Sequence, residues 1–220
     1  MNRVTLTFDN GPTPGITEHV LEILDRAGLH STFFVIGRKL EVPGAIALMQ
    51  QAHAAGHWIG NHTLTHSVAF GDRPDAAYAA EELEQTQALL GDCARPEKLF
   101  RPYGNSGQIG PHLFSPAAVG HLLAGHYTTI LWNCVPGDWK DPDGWLQTCL
   151  AQIAAEPNTP ETWPVIVLHD IANGCLGHLP ELLARLGDHG MQFEQRFPKS
   201  TILTRDGALA NLNPTHIRHH

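Results

Sequence analysis

Short runs rich in Val, Ile, Leu, Phe and Thr alternate along the chain with stretches whose apolar residues recur every three or four positions. The runs predict strands at 3–8, 31–37, 57–61, 98–101, 127–133, 165–169 and 191–195. Most are near-continuous, which suits strands covered on both faces, as in a parallel sheet. The periodic stretches predict helices at 17–27, 44–55, 74–90, 116–124, 142–155 and 178–189. In the first of these, Val20, Leu21, Leu24 and Ala27 share one face, and Gly28 marks the stop. Strand and helix alternating about seven times predict a parallel α/β sheet with right-handed crossovers, closed as a barrel and not left open.

Composition narrows this picture. With 220 residues, 42% of them hydrophobic, the chain can fill one core, so 1–200 is expected as a single domain and 201–220 as a C-terminal extension. A formal net charge of -8, with no Lys/Arg cluster, argues against a nucleic-acid partner and against an anionic membrane surface. No apolar run approaches a membrane span. The opening residues read as a strand and not as a secretory leader, so a cytoplasmic location is expected. The four cysteines form no CxxC pair, which suits reduced thiols. His219 and His220 resemble the start of a purification tag and are set aside. The longest irregular stretch is 104–115, a length often tied to function in compact domains.

Chemistry collects where the predicted strands end. Asp9 and Asn10 follow the first strand in the segment TFDNGP. His62 and His66 follow the third, Arg101 ends the fourth, Asp138 lies just beyond the fifth, and His169 ends the sixth. In a parallel barrel these ends share one rim, the rim that carries active sites. His62 and His66 are four apart, so one helical turn would place both imidazoles on one face, and two neutral imidazoles suit a divalent transition ion. Each residue also has a plainer reading. The histidines can cap or pack, Arg101 can pair with a rim carboxylate, Asp138 can serve a turn, and Trp139 can be core. His53, His57, His112, His121, His126, His178 and His189 match no motif and read as surface or satisfied core histidines.

Five segments in order carry a family resemblance. TFDNGP resembles the TFDDGP block of the polysaccharide deacetylases, also called NodB-homology domains or carbohydrate esterase family four. NHTLTH matches their His-[Ser/Thr]-x-x-His block, FRPYG resembles Arg-x-Pro-Tyr/Phe-Gly, GDW resembles the end of the fourth block, and VLHD resembles Leu-x-Leu-His. The resemblance covers most of 3–195 and implies a distorted (β/α)7 barrel of TIM-barrel type. It implies that Asp9 is the general base and His169 the general acid, with Arg101 orienting Asp9 and Asp138 orienting His169. It further implies that His62, His66 and the residue at position 10 hold a divalent metal ion. Zinc is the first expectation, nickel and cobalt the alternatives. The Tyr103 N–H would help bind the oxyanion, and Trp139 and Leu168 would wall the acyl pocket.

Three departures from the family pattern stand out. Asn10 occupies the position of a metal-binding Asp and brings no charge, which predicts weaker cation binding. The block Arg101-Pro102-Tyr103-Gly104 is one residue short, which affects the register of the Tyr103 amide. The first acid of the fourth block is replaced within Cys134-Val135-Pro136. The leading expectation is a hydrolase of carbon–nitrogen amide bonds that deacetylates a small or oligomeric N-acetylated sugar. The alternatives are a metal-independent amidohydrolase of small amides or cyclic imides, and a carbohydrate-binding protein that has lost catalysis.

Overall fold

The computed structural model describes residues 2–219. In chain order the elements are β1 (Arg3–Asp9), α1 (Thr17–Arg26), β2 (Thr32–Val35), α2 (Gly37–Leu40), α3 (Ala45–Ala54), β3 (Trp58–Asn61), α4 (Ala76–Leu90), β4 (Leu99–Phe100), α5 (Pro116–Ala124), β5 (Thr128–Ile130), α6 (Trp145–Ala155), β6 (Val165–His169), α7 (Leu179–Asp188), β7 (Gln192–Phe193), β8 (Ile202–Arg205) and β9 (Ala208–Leu209).

The strand order is β6-β1-β2-β3-β4-β5, all parallel, as the strand–helix alternation predicts. The ring closes beyond β5. Cys134 bridges Ile166 in parallel, with Cys134 N–H donating to Val165 O and Val167 N–H donating to Cys134 O. Closure through one bridge makes this a distorted (β/α)7 barrel. It also explains why the expected strand at 127–133 is regular only over β5. Past Ile130 the chain turns from its partner β4 toward β6. The short β7 pairs with the lower end of β1, at Arg3 and Val4, on the edge that β2 takes over from Thr7 onward.

The residues expected as a C-terminal extension, 201–220, begin with β8, which pairs antiparallel with β5 and buries Ile202, Leu203 and Thr204. An apolar run at an open sheet edge is stabilised by joining the sheet. The tail therefore completes the edge of the domain.

β1 shows how sequence aims the site. Val4, Leu6 and Phe8 pack outward with Val20 and Leu24 of α1. The alternate residues Thr5, Thr7 and Asp9 face the barrel interior, since successive strand side chains point to opposite faces. Their hydroxyls are satisfied there: Thr5 donates to Arg196 O and Thr7 to Ile166 O. A run that reads as buried on both faces is thus apolar toward the helices and polar toward the axis.

The helix ends follow ordinary capping chemistry. Asp75 accepts from Ala77 N–H at the start of α4, and Ser115 from Ala118 N–H at the start of α5, with Pro116 following. Gly28, at φ +65°, supplies the left-handed residue after α1.

Candidate active site

Asp9 and His169 close β1 and β6 and are register partners across the two strands. Both are buried at the rim of one cleft of about 230 Å³. Arg101 lies beneath them, fully buried. Its Nη1 donates to Asp9 Oδ1 at 2.8 Å and to Thr7 Oγ1 at 2.7 Å, and its guanidinium lies 4.1 Å above the Phe34 ring. A buried ion pair of this kind fixes the direction of its carboxylate.

Across the cleft, His169 Nδ1 is 2.8 Å from Asp138 Oδ1, and His169 N–H donates to Asp138 Oδ2 at 2.8 Å. Asp138 grips both the backbone and the ring of His169, so Nε2 is the nitrogen left for chemistry. The Trp139 ring meets the imidazole edge-on at 4.4 Å.

His62 follows β3 directly. Its Nδ1 is 2.8 Å from Arg101 O, and a carbonyl can only accept, so Nδ1 carries the proton. The lone pair is then on Nε2, 3.5 Å from Asp9 Oδ2. Burial lowers the pKa of His62 to about 3 and that of His66 to about 2, with His62 adding to the second. Both rings are neutral at neutral pH, and their centroids are 4.6 Å apart.

The expected helical turn does not form at this pair. Thr63 and His66 adopt left-handed φ values of +67° and +52°, and the rings meet through a tight turn. Three side chains hold that turn. Asn61 Oδ1 accepts from Thr63 N–H, Thr63 Oγ1 accepts from His66 N–H, and buried Glu82 accepts from both Thr65 N–H and its hydroxyl. The motifs did not include Glu82. Its signal is an acid on the buried stripe of α4, between Ala79 and Thr86, a position that demands a polar partner.

Of the remaining expected residues, Tyr103 lines the cleft with its ring 4.4 Å from His66. Among the described residues its N–H donates to no protein acceptor. Trp139 lines the cleft as expected. Leu168 does not. It packs outward with Phe8 and Leu182, and Val167 faces the cleft instead. The reason is the period of two along β6, where Val167 and His169 share the inner face. Val135, from the Cys134-Val135-Pro136 segment that replaces the first acid of the fourth block, lines the cleft. Trp132 belongs to none of the sequence motifs. It walls the cleft, donates from Nε1 to Gly107 O, and leaves no room for a Cβ at Gly104.

Asn10 sits in the left-handed region at φ +71°, which Asn tolerates better than most residues, and it lines the same cleft. Its Oδ1 is buried without a partner. Among the described residues no three His, Cys, Asp or Glu side chains form a metal cluster. Two neutral imidazoles and an orphaned amide oxygen around one cleft are nonetheless a donor set that fits a borderline divalent cation.

A closed parallel barrel with a paired carboxylate, a carboxylate-held histidine and a histidine pair at its C-terminal rim belongs to the class of hydrolytic barrels. The polysaccharide deacetylase sequence profile matches residues 1–108. A chitooligosaccharide deacetylase of Bradyrhizobium is 33% identical over 171 residues, covering 76% of this chain and 70% of that protein. The peptidoglycan-N-acetylmuramic acid deacetylase PdaC of Bacillus subtilis is 28% identical over 86% of this chain, which spans only 37% of PdaC. The solved family 4 carbohydrate esterase of Streptomyces lividans, in complex with acetate, superposes with a TM-score of 0.72 at 25% identity, covering 91% of this chain and 96% of that one. The chain belongs to the polysaccharide deacetylase family.

Proposed function

We propose that this chain hydrolyses the acetamido group of an N-acetylated sugar or short oligosaccharide, releasing acetate and the free amine. The observation that carries the reading is the register pairing of Asp9 with His169, each held by its own partner and both facing one cleft.

Asp9, held in place by Arg101, takes a proton from the attacking water. The amide carbon becomes tetrahedral, and the unpaired Tyr103 N–H donates to the developing oxyanion. His169, oriented by Asp138, gives a proton to the departing nitrogen from Nε2. Val167 and Trp139 bound the space for the acyl methyl. A divalent ion held by His62, His66 and Asn10 would polarise the amide carbonyl and acidify the attacking water. An Asn ligand leaves one more positive charge on such an ion than Asp does, so a weakly held cation is expected.

The test is acetate release from N-acetylglucosamine oligomers with added zinc, nickel or cobalt, lost on Asp9→Asn. No release from any acetylated sugar overturns the substrate class. The uncharged Asn10 favours a second reading, a metal-independent amidase of small amides, and turnover undiminished by strong chelators would select it.

A further inference from the structure

Asp170 follows the general-acid histidine, is fully buried, and has no part in the chemistry above. Its Oδ2 accepts from Thr17 Oγ1 at 2.5 Å, while its Oδ1 has no partner. Its carboxyl group presses on the backbone of Gly11. A Cβ built at Gly11 would lie 2.1 Å from Oδ2 and 2.4 Å from Oδ1. Gly11 does not have a positive φ, so this carboxyl group is what keeps a side chain out.

The segment that follows Asp9 is therefore clamped from both sides. From the β2 side, Ile36 N–H donates to Gly11 O at 3.0 Å. From the β6 side the Asp170 carboxyl packs on Gly11. Below, Thr13 N–H donates to Thr17 Oγ1 at 2.8 Å, and Lys39 Nζ donates to Thr13 Oγ1 at 3.2 Å. Asn10, in its left-handed conformation, is the residue between Asp9 and this clamp.

We infer that Asp170 is a positioning residue, whose carboxyl group, fixed by Thr17 and seated against Gly11, sets the direction of Asn10 and Asp9 in the cleft. A buried carboxyl with one unpaired oxygen is costly in a purely structural role. Burial raises its pKa to about 7, against the opposing effects of Thr17, Lys39 and His169. The shape and the single accepted hydrogen bond do the positioning, so an isosteric amide retains the function.

The inference rests on the deacetylase reading for its kinetic arm only. In that arm Asp170→Ala lowers kcat about 100-fold, the scale of a catalytic group displaced by about 1 Å. KM stays within about threefold because the cleft walls remain, and Asp170→Asn stays within about threefold of wild type in both constants. In the second arm, ¹H–¹⁵N spectra of the full chain read the segment directly. Asp170→Ala shifts the amide signals of Asn10, Gly11 and Thr13, and Asp170→Asn leaves them near their wild-type positions. Adding Gly11→Ala to Asp170→Ala restores part of the melting temperature that Gly11→Ala loses alone, because the obstructing carboxyl is gone. Unmoved amide signals in Asp170→Ala, or an equal fall in Asp170→Asn and Asp170→Ala, overturn the inference. Absence of wild-type turnover on acetylated sugars overturns the substrate reading instead, and the amide signals still decide the role of Asp170.

Discussion

β3 has a buried histidine at each end, His57 before it and His62 after it, and the two rings are wired in opposite senses. At the lower end Ser31 N–H donates to His57 Nδ1 at 3.1 Å, so Nδ1 is an acceptor and the proton sits on Nε2. At the upper end His62 Nδ1 donates to Arg101 O, so the proton sits on Nδ1 and Nε2 keeps its lone pair. Both rings are neutral: burial lowers the pKa of His57 to about 4 and that of His62 to about 3. One strand thus carries a structural imidazole, unable to ligate through Nε2, and a chemical one, free to do so. Burial and residue type are the same at both ends. The backbone group that each ring meets decides its use.

Four experiments break or sharpen this contrast. The largest effect is expected from Arg101→Gln, which strips the buried counter-ion from Asp9 at the upper end. Loss of one partner of such a pair costs about 3–5 kcal/mol, read as a denaturant midpoint, and turnover falls with it.

Next is pH. In the unfolded chain His57 binds a proton at its ordinary pKa near 6.5, whereas the folded protein resists it down to about 4. The stability it contributes is complete above pH 6.5 and is lost as the pH falls toward 4, up to about 3 kcal/mol. His30 adds to this depression and Asp25 opposes it. His57→Gln therefore flattens the acid limb of a stability–pH curve relative to wild type. An unchanged limb would contradict the buried neutral ring.

The paired alanine variants separate the two roles directly. His62→Ala is expected to lower kcat/KM by at least the roughly 10–100-fold that follows loss of groups supporting a metal site. His57→Ala leaves kcat unchanged and costs about 1–3 kcal/mol of stability, because the buried Ser31 N–H loses its acceptor. Acetate-release kinetics and melts on both proteins check this.

The smallest effect tests inner against outer residues on β6. Leu168→Met, an outward and volume-conserving change, costs less than about 1.5 kcal/mol and leaves the kinetics alone. Val167→Ile narrows the cleft and raises KM for acyl groups larger than acetyl.

The period of strands and helices made the barrel legible before any coordinates. The polar residues at the strand ends made the rim legible, because a parallel sheet brings the same end of every strand to one side. Even the inward aim of Asp9 was present, in the alternation Val4-Thr5-Leu6-Thr7-Phe8-Asp9. Threonine masks that alternation, because it reads as a strand former on either face. The same rule applied to β6 would have chosen Val167 over Leu168.

Other features lay beyond the sequence because they depend on partners distant along the chain. Nothing near position 57 or 62 announces Ser31 N–H or Arg101 O as the group facing the ring. The turn that joins His62 to His66 needs Glu82 from another element. Barrel closure rests on Cys134 meeting β6, and the seat of Gly11 on a carboxyl 159 positions away at Asp170. Side-chain type and local period determine which groups are available and which way a strand aims them. The tertiary contacts decide their protonation, their direction and their use, since a buried polar group takes its state from whatever it hydrogen-bonds.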